Sequence, residues 1–435
     1  MTSTRLDSFW TSATPLPATG GAGRWRTAGN AAAWPLAVVV ILHRLVVLAW
    51  TGSVTDDFTT VWSATRRFVD RVPVYNEVYR HVDPHYLYSP GATLLLSPLG
   101  LAPSVDAARP WFVLVNAAAI VAALAWLTRI AGFTLSHPVF PAALAAGFLT
   151  ESVTNTLVFS NINGVLLLAL VAFLHFLVRG REWPAGVILG LCILVKPMFA
   201  PLLVLPLMRV QGRTAAAAVA VPVVANALAW PLTPGVEGYR SDLLPYLAQT
   251  RDYANSSLSG LAVYFGMPGW MHALFFTLFA TAVAVAMLGL ARFRWTDGWL
   301  WASVSAGVLL AGVCLLSSLG QAYYSMMLLP AVFTVFSRTS PMHMPATWLG
   351  IILCLAPLTW ESPHFPGGGS WLGTFLPTAG WAIVIVSVAA WVVAVSEEPS
   401  GHRGECSATP TTKEAETHER RKLPELDRGS MAGEA

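Results

Sequence analysis

Residues 184–207 read Pro-Ala-Gly-Val-Ile-Leu-Gly-Leu-Cys-Ile-Leu-Val-Lys-Pro-Met-Phe-Ala-Pro-Leu-Leu-Val-Leu-Pro-Leu. Apart from one lysine the stretch carries no charge, and it reaches the ~20 apolar residues that cross a bilayer. Arg179 and Arg181 precede it, and Arg209 and Arg213 follow it. Short arginine-rich loops face the cytoplasm, so both ends belong on one side and a single crossing would misplace one pair. Lys196-Pro197 interrupts the run, and proline ends a helix by removing a donor and clashing with the preceding turn. The stretch predicts a re-entrant helical hairpin with Lys196 at its buried tip. Broken backbone at membrane depth is tolerated where protein or a water-filled cavity surrounds it.

The rest of the chain agrees with a membrane setting. Of 435 residues, 55% are hydrophobic and 11% charged, against ~25% charged in an ordinary soluble domain. Further apolar runs fall at 33–51, 110–128, 134–151, 157–178, 214–232, 269–291, 298–318, 322–337, 342–360 and 376–395. With Arg24 and Arg26 before the first run, the N-terminus is placed inside. Alternation then gives an all-α polytopic bundle of about ten transmembrane helices plus the hairpin, both termini cytoplasmic. Residues 1–32 form a cytoplasmic segment, 33–396 the membrane domain, and 52–109 a long first extracytoplasmic loop. The tail 397–435, rich in Glu, Arg, Thr, Pro and Gly, has no apolar period and reads as disordered. Net charge +3 gives no nucleic-acid footprint. Cys192, Cys314, Cys354 and Cys406 form no paired motif, so neither a disulfide framework nor a metal site is indicated. The first run lacks a cleavage signature and reads as an uncleaved span.

On this topology the acidic residues before the tail lie mainly outside, most of them in the first loop. That loop opens with Asp56-Asp57-Phe58. Adjacent carboxylates at a membrane exit serve either as a solvated helix cap or as a general base, taking a proton from a sugar hydroxyl as that oxygen attacks an anomeric carbon. Crowding would raise one pKa towards a value useful for base catalysis. Further on come Tyr75, Asn76 and Glu77, then Asp83, His85, Tyr86 and Tyr88. Aromatic faces pack on sugars and the polar groups bind hydroxyls; the alternative is an aromatic belt at the headgroups. Lys196 is the only lysine before the tail. An intramembrane cation is a functional candidate, and a lipid phosphate is its natural partner, with a structural ion pair as the alternative. Arg251 can hold a phosphate through a bidentate contact. Asn155, Gln321, Tyr323 and Tyr324 are further polar candidates at outer span ends, whereas Asn161 and Asn163 read as residues bridging helices. Asn255-Ser256-Ser257 also fits a glycosylation sequon, a short and common pattern.

Together these motifs resemble the polyprenol-phosphate-sugar-dependent glycosyltransferases of the GT-C class, family 87. Thr-Asp-Asp-Phe (55–58), Val-Asp-Pro-His-Tyr-Leu-Tyr (82–88), Thr-Asn-Thr-Leu-Val-Phe-Ser-Asn-Ile-Asn-Gly (154–164), Thr-Arg-Asp-Tyr (250–253) and Tyr-Tyr-Ser-Met-Met-Leu (323–328) are similar to the arabinan-branching members. The likeness runs from about residue 34 to 338 and is absent from the tail. It implies a GT-C bundle and α-(1→3)-arabinofuranosyl transfer. The implied donor is decaprenyl-phosphoryl-arabinofuranose, and the implied acceptor is the arabinan of arabinogalactan and lipoarabinomannan. The implied location is the periplasmic side of an actinobacterial plasma membrane. It puts the catalytic aspartate on Asp56-Asp57, with Asp57 favoured. Ser89 departs from the proline common in relatives, and Asn161-Ile162-Asn163 departs from the Gly-Gln pattern of many mannose-transferring members. The expected reaction is one inverting displacement, with Lys196 or Arg251 stabilising the leaving phosphate; one base suffices, and nothing in this logic requires a metal or other cofactor. The rival readings are a mannosyltransferase using polyprenyl-phosphate-mannose and, from another class, a transporter or lipid flippase. Acids concentrated on one face argue against the transporter.

Overall fold

The computed structural model describes residues 22–50, 56–79, 84–356, 364 and 368–397. These form helices and connecting turns, with no strand among them. Numbering helices of seven residues or more, α1 is Ala22–Leu42, continued by a wider turn through Ala49. Then come α2 (Asp57–Val69), α3 (Pro90–Leu96) and α4 (Val105–Ile130). They are followed by α5 (Val139–Leu149), α6 (Glu151–Val158), α7 (Asn163–Val178), α8 (Glu182–Val195) and α9 (Gly212–Ala229). The series closes with α10 (Leu258–Phe265), α11 (Gly269–Leu290), α12 (Gly298–Leu316), α13 (Pro345–Leu355) and α14 (Gly368–Glu397).

Six of the described helices are long and apolar enough to cross a membrane: Gly23–Ala49, Val105–Ile130, Gly212–Leu232, Gly269–Phe293, Gly298–Leu316 and Trp371–Val395. The other expected runs are carried by shorter apolar helices. Their breaks have local causes. Ser160 takes a positive φ of 48° and splits the run 157–178, so that α7 starts only at Asn163. Pro330 and Pro341 punctuate the run from 322 onward into 3-10 turns. The helical start at Ala22 also shows that the expected N-terminal segment 1–32 joins α1 in its last residues. The first loop is a folded unit. The amphipathic α2 packs Val61, Ala64 and Phe68 against Tyr75, Tyr86, Leu243 and Tyr246.

The opening stretch is broken at its lysine. Helix α8 runs to Val195, and Lys196 is extended (φ −137°, ψ 104°). A 3-10 segment Pro197–Leu203 and a short turn Val204–Met208 then lead back. At the far end Arg209 Nη1 donates to the carbonyls of Leu177 and Val178, at 3.1 and 2.9 Å. Arg213 N–H meets Glu182 Oε2 at 3.0 Å, so the returning chain ends beside the start of α8. Helix α9 then packs along α8 through Gly186 and Gly190. A Cβ on Gly186 would lie 2.6 Å from the Thr214 carbonyl, and one on Gly190 2.7 Å from Val221 Cβ. Small residues four apart let two apolar helices approach this closely. Buried α12 fills the centre, with Trp301 wholly enclosed.

Candidate active site

The Asp-Asp pair is divided by helix geometry. Asp56 is extended, as an N-cap must be (φ −88°, ψ 155°), and its Oδ1 accepts from Thr59 N–H at 2.6 Å. Its Oδ2 lies 2.9 Å from Arg109 Nε, and the residue is 1% exposed. The plain reading of a helix cap therefore fits Asp56, although the cap is buried and ion-paired. Asp57 is the first helical residue, one position round the turn, and it faces a cavity of about 390 Å³.

Asp57 is held from the segment between α6 and α7. Its N–H donates to Phe159 O at 3.0 Å, and its Oδ2 accepts a short hydrogen bond from Asn161 Nδ2. The left-handed Ser160 makes the sharp turn that aims Asn161 at the cavity, and Ser160 Oγ accepts from Arg109 Nε at 3.0 Å. Asn161 Oδ1 in turn accepts from Lys196 Nζ at 2.9 Å. The lysine also donates to Asn163 Oδ1 at 3.0 Å and to Tyr324 Oη at 3.4 Å. Its ammonium lies 5.5 and 4.6 Å from the ring centroids of Tyr323 and Tyr324. A carboxylate, an amide and an ammonium thus form one hydrogen-bonded chain across the cavity floor. Burial pushes the Asp57 carboxyl above its usual range, and the charge of Lys196 and the bond from Asn161 oppose the rise. The neighbouring Asp56 adds only a lesser push, so desolvation rather than crowding is the main cause.

The cavity is also lined by His85, Tyr88, Tyr239, Tyr246, Gln249 and Arg251. Arg251 Cζ sits 5.0 Å from the Tyr246 ring centroid. The imidazole of His85 meets the same ring edge-on at 5.3 Å, and its Nδ1 is 3.5 Å from Glu77 Oε2. Glu77 is anchored by Arg67 Nη2 at 2.8 Å. Gln321, Tyr323 and Tyr324 complete the lining, and Tyr323 Oη donates to Gln321 Oε1.

Among the expected site residues, Asp57, His85, Tyr88, Lys196, Arg251, Gln321, Tyr323 and Tyr324 line this one cavity. Others stand behind it. Tyr75 donates to the Tyr88 carbonyl at 2.9 Å. Tyr86 shares a 2.7 Å hydrogen bond with Thr93 and, through its N–H, meets Glu77 at 3.1 Å. Asn76 is exposed, and Asn155 lies half-buried on α6 outside the cavity lining. Asp83 falls outside the described residues. Asn161 and Asn163 do bridge segments: Asn161 joins Asp57 to Lys196, and Asn163 also accepts from Lys196. The sequence offered one signal for this, two asparagines two residues apart just after a serine. Tyr239, Tyr246 and Gln249 carried no motif. Asn255 is not a glycan acceptor in this fold, being 2% exposed. Its Nδ2 donates to the Arg251 and Ser318 carbonyls, at 3.0 and 2.8 Å. Its Oδ1 accepts from Ser257 and Gly320 N–H groups, at 3.1 and 2.9 Å. Among the described residues, no group of three or more His, Cys, Asp or Glu side chains is placed to hold a metal ion.

Comparison with known proteins bears on this geometry. Residues 86–318 match glycosyltransferase family 87. An alpha-(1->3)-arabinofuranosyltransferase of Corynebacterium glutamicum is 52% identical over 363 residues, 83% of this chain and 87% of that protein. Proteins of the same name from Mycolicibacterium smegmatis and Mycobacterium tuberculosis H37Rv are each 42% identical. The alignments cover 82% and 84% of this chain and 83% and 85% of those proteins. No solved structure matches. Likeness at this level and extent, over a polytopic helical chain that buries a carboxylate beside a cationic, aromatic cavity, makes the protein a membrane glycosyltransferase, and the chain belongs to glycosyltransferase family 87.

Proposed function

We propose that this enzyme transfers arabinofuranose from decaprenyl-phosphoryl-arabinofuranose to the 3-hydroxyl of an arabinan acceptor, forming α-(1→3) branches in arabinogalactan and lipoarabinomannan. The observation that carries the reading is the Asp57–Asn161–Lys196 chain set in a cavity walled by Tyr88, Tyr246 and Tyr323. The names of the relatives supply the sugar and the linkage. Asp57 removes the proton of the acceptor hydroxyl as that oxygen forms its bond to the anomeric carbon. The bond from that carbon to the phosphate oxygen breaks on the opposite face, so a β-linked donor yields an α-linked product. The leaving phosphate gathers negative charge, which Lys196 or Arg251 stabilises electrostatically. The aromatic rings offer flat apolar faces to the sugars.

Ten full spans with a re-entrant hairpin at 184–207, both termini cytoplasmic and the cavity open to the periplasm, form the topology that accompanies this reading. The return of Arg209 to Leu177 and Val178 supports it, because both flanks of the hairpin then lie at one level. The test is transfer by the purified protein from arabinofuranosyl and mannosyl polyprenyl phosphates to a synthetic α-(1→5) arabinan oligomer, read by linkage analysis. New 3,5-branched arabinose from the arabinosyl donor alone is the expected product. Transfer of mannose in its place would replace the assignment.

A further inference from the structure

Two cations line the cavity, and their surroundings differ. The Lys196 ammonium has three N–H donors, and oxygens of Asn161, Asn163 and Tyr324 take all three. Two tyrosine rings cover what remains, and the residue is 9% exposed. For Lys196 to bind a phosphate directly it must surrender one of these bonds, and losing either asparagine disturbs the network that reaches Asp57. Arg251 is placed otherwise. Its guanidinium stacks on Tyr246, and among the described residues its side chain makes no hydrogen bond or ion pair. Its backbone is fixed all the same, because Asn255 holds the Arg251 carbonyl and ties it to Ser318 and Gly320. Gln249 and His85 line the same cavity, and both His85 and Arg251 lie against the Tyr246 ring. A rigidly mounted planar fork with open donors suits bidentate recognition of a phosphate, and stacking keeps the fork in one plane at little entropic cost.

We infer that Arg251, with Gln249 and His85 beside it, holds the donor's phosphate, and that Lys196 is a positioning residue that stays bound to Asn161 and Asn163 through the reaction. This rests on the reading of the enzyme as a user of lipid-phosphate-linked sugar. The phosphate then sits in the same cavity that Asp57 lines. The lysine acts by orienting the Asn161 amide that meets the base, and its charge sustains the carboxylate.

The test uses the full chain in nanodiscs and a sugar-free probe, farnesyl phosphate, titrated calorimetrically beside farnesol. Arg251→Ala is expected to weaken farnesyl phosphate at least ~10-fold, as loss of a charged hydrogen bond does, and to leave farnesol unchanged; Arg251→Lys recovers part of the loss. Lys196→Met is expected to keep farnesyl phosphate within about threefold of wild type, while kcat collapses and the acid limb of the kcat profile moves to higher pH. Retained farnesol binding shows that each variant is folded. A ~10-fold loss of farnesyl phosphate in Lys196→Met, or none in Arg251→Ala, overturns the division of roles. Because the probe carries no sugar, this outcome is independent of whether arabinose proves to be the transferred group.

Discussion

Asparagine in place of each aspartate of the pair should produce opposite defects. General-base catalysis contributes about 10²–10⁴ in rate, or about 3–5 kcal/mol of barrier, and Asp57→Asn forfeits it. The replacing amide oxygen still accepts from Asn161 Nδ2, so the local network persists. Burial already disfavours the charged carboxyl at 57; a neutral isostere leaves the unfolding midpoint unchanged or raises it. Asp56→Asn keeps the helix cap, because Asn caps as well as Asp, but it strips the counter-charge from Arg109. That guanidinium is 20% exposed, so the cost falls below the 3–5 kcal/mol of a fully buried broken pair, at about 1–3 kcal/mol. The assay is turnover of lipid-linked donor by protein in nanodiscs, alongside thermal unfolding of the same samples. Asp57→Asn should lose turnover at a wild-type midpoint, and Asp56→Asn should lose midpoint with a smaller loss of turnover. If Asp57→Asn keeps more than about a tenth of wild-type turnover, or Asp56→Asn proves inactive at full stability, the roles assigned to the pair are wrong.

Two other outcomes follow from the same geometry. The base works deprotonated, and burial raises its pKa, so kcat should fall on acidification at a pH above the ordinary carboxylate range; Asn161→Leu removes a bond that favours the charged form and should shift this limb further upward in a kcat–pH profile, a downward shift being incompatible with the bond. Asn255→Ala leaves buried partners on both sides unpaired, at about 1–3 kcal/mol for each unsatisfied group, and should lower the unfolding midpoint and raise the donor KM through Arg251; an unchanged midpoint would show that the Asn255 bonds are not made in the membrane.

The helix break at Lys196 was legible because its evidence is local: a proline directly behind a lone lysine. The chemistry-bearing candidates were legible for a similar reason, since a charge in an apolar chain needs a purpose or a partner. The count of long helices was not. The run 157–178 is apolar enough to be continuous, and only the packed structure shows Ser160 in a left-handed turn, its hydroxyl bonded by Arg109 and its two neighbours bonded to Asp57. The aromatic loop was also read too uniformly. Tyr75 and Tyr86 are of the same type as the lining residue Tyr88, yet they lie in the apolar cluster under α2, and Glu77 stands behind His85, bonded to Arg67.

By itself, then, the sequence determined the membrane setting, the helical class and the break at Lys196, because hydrophobic length and proline act within a few residues of where they occur. The tertiary structure alone decided which carboxylate faces the cavity, that Asn161 joins it to Lys196, and that among the described residues the Arg251 side chain makes no hydrogen bond or ion pair. Those facts depend on contacts between segments far apart in the chain, where burial and directed hydrogen bonds, rather than local pattern, select the partner.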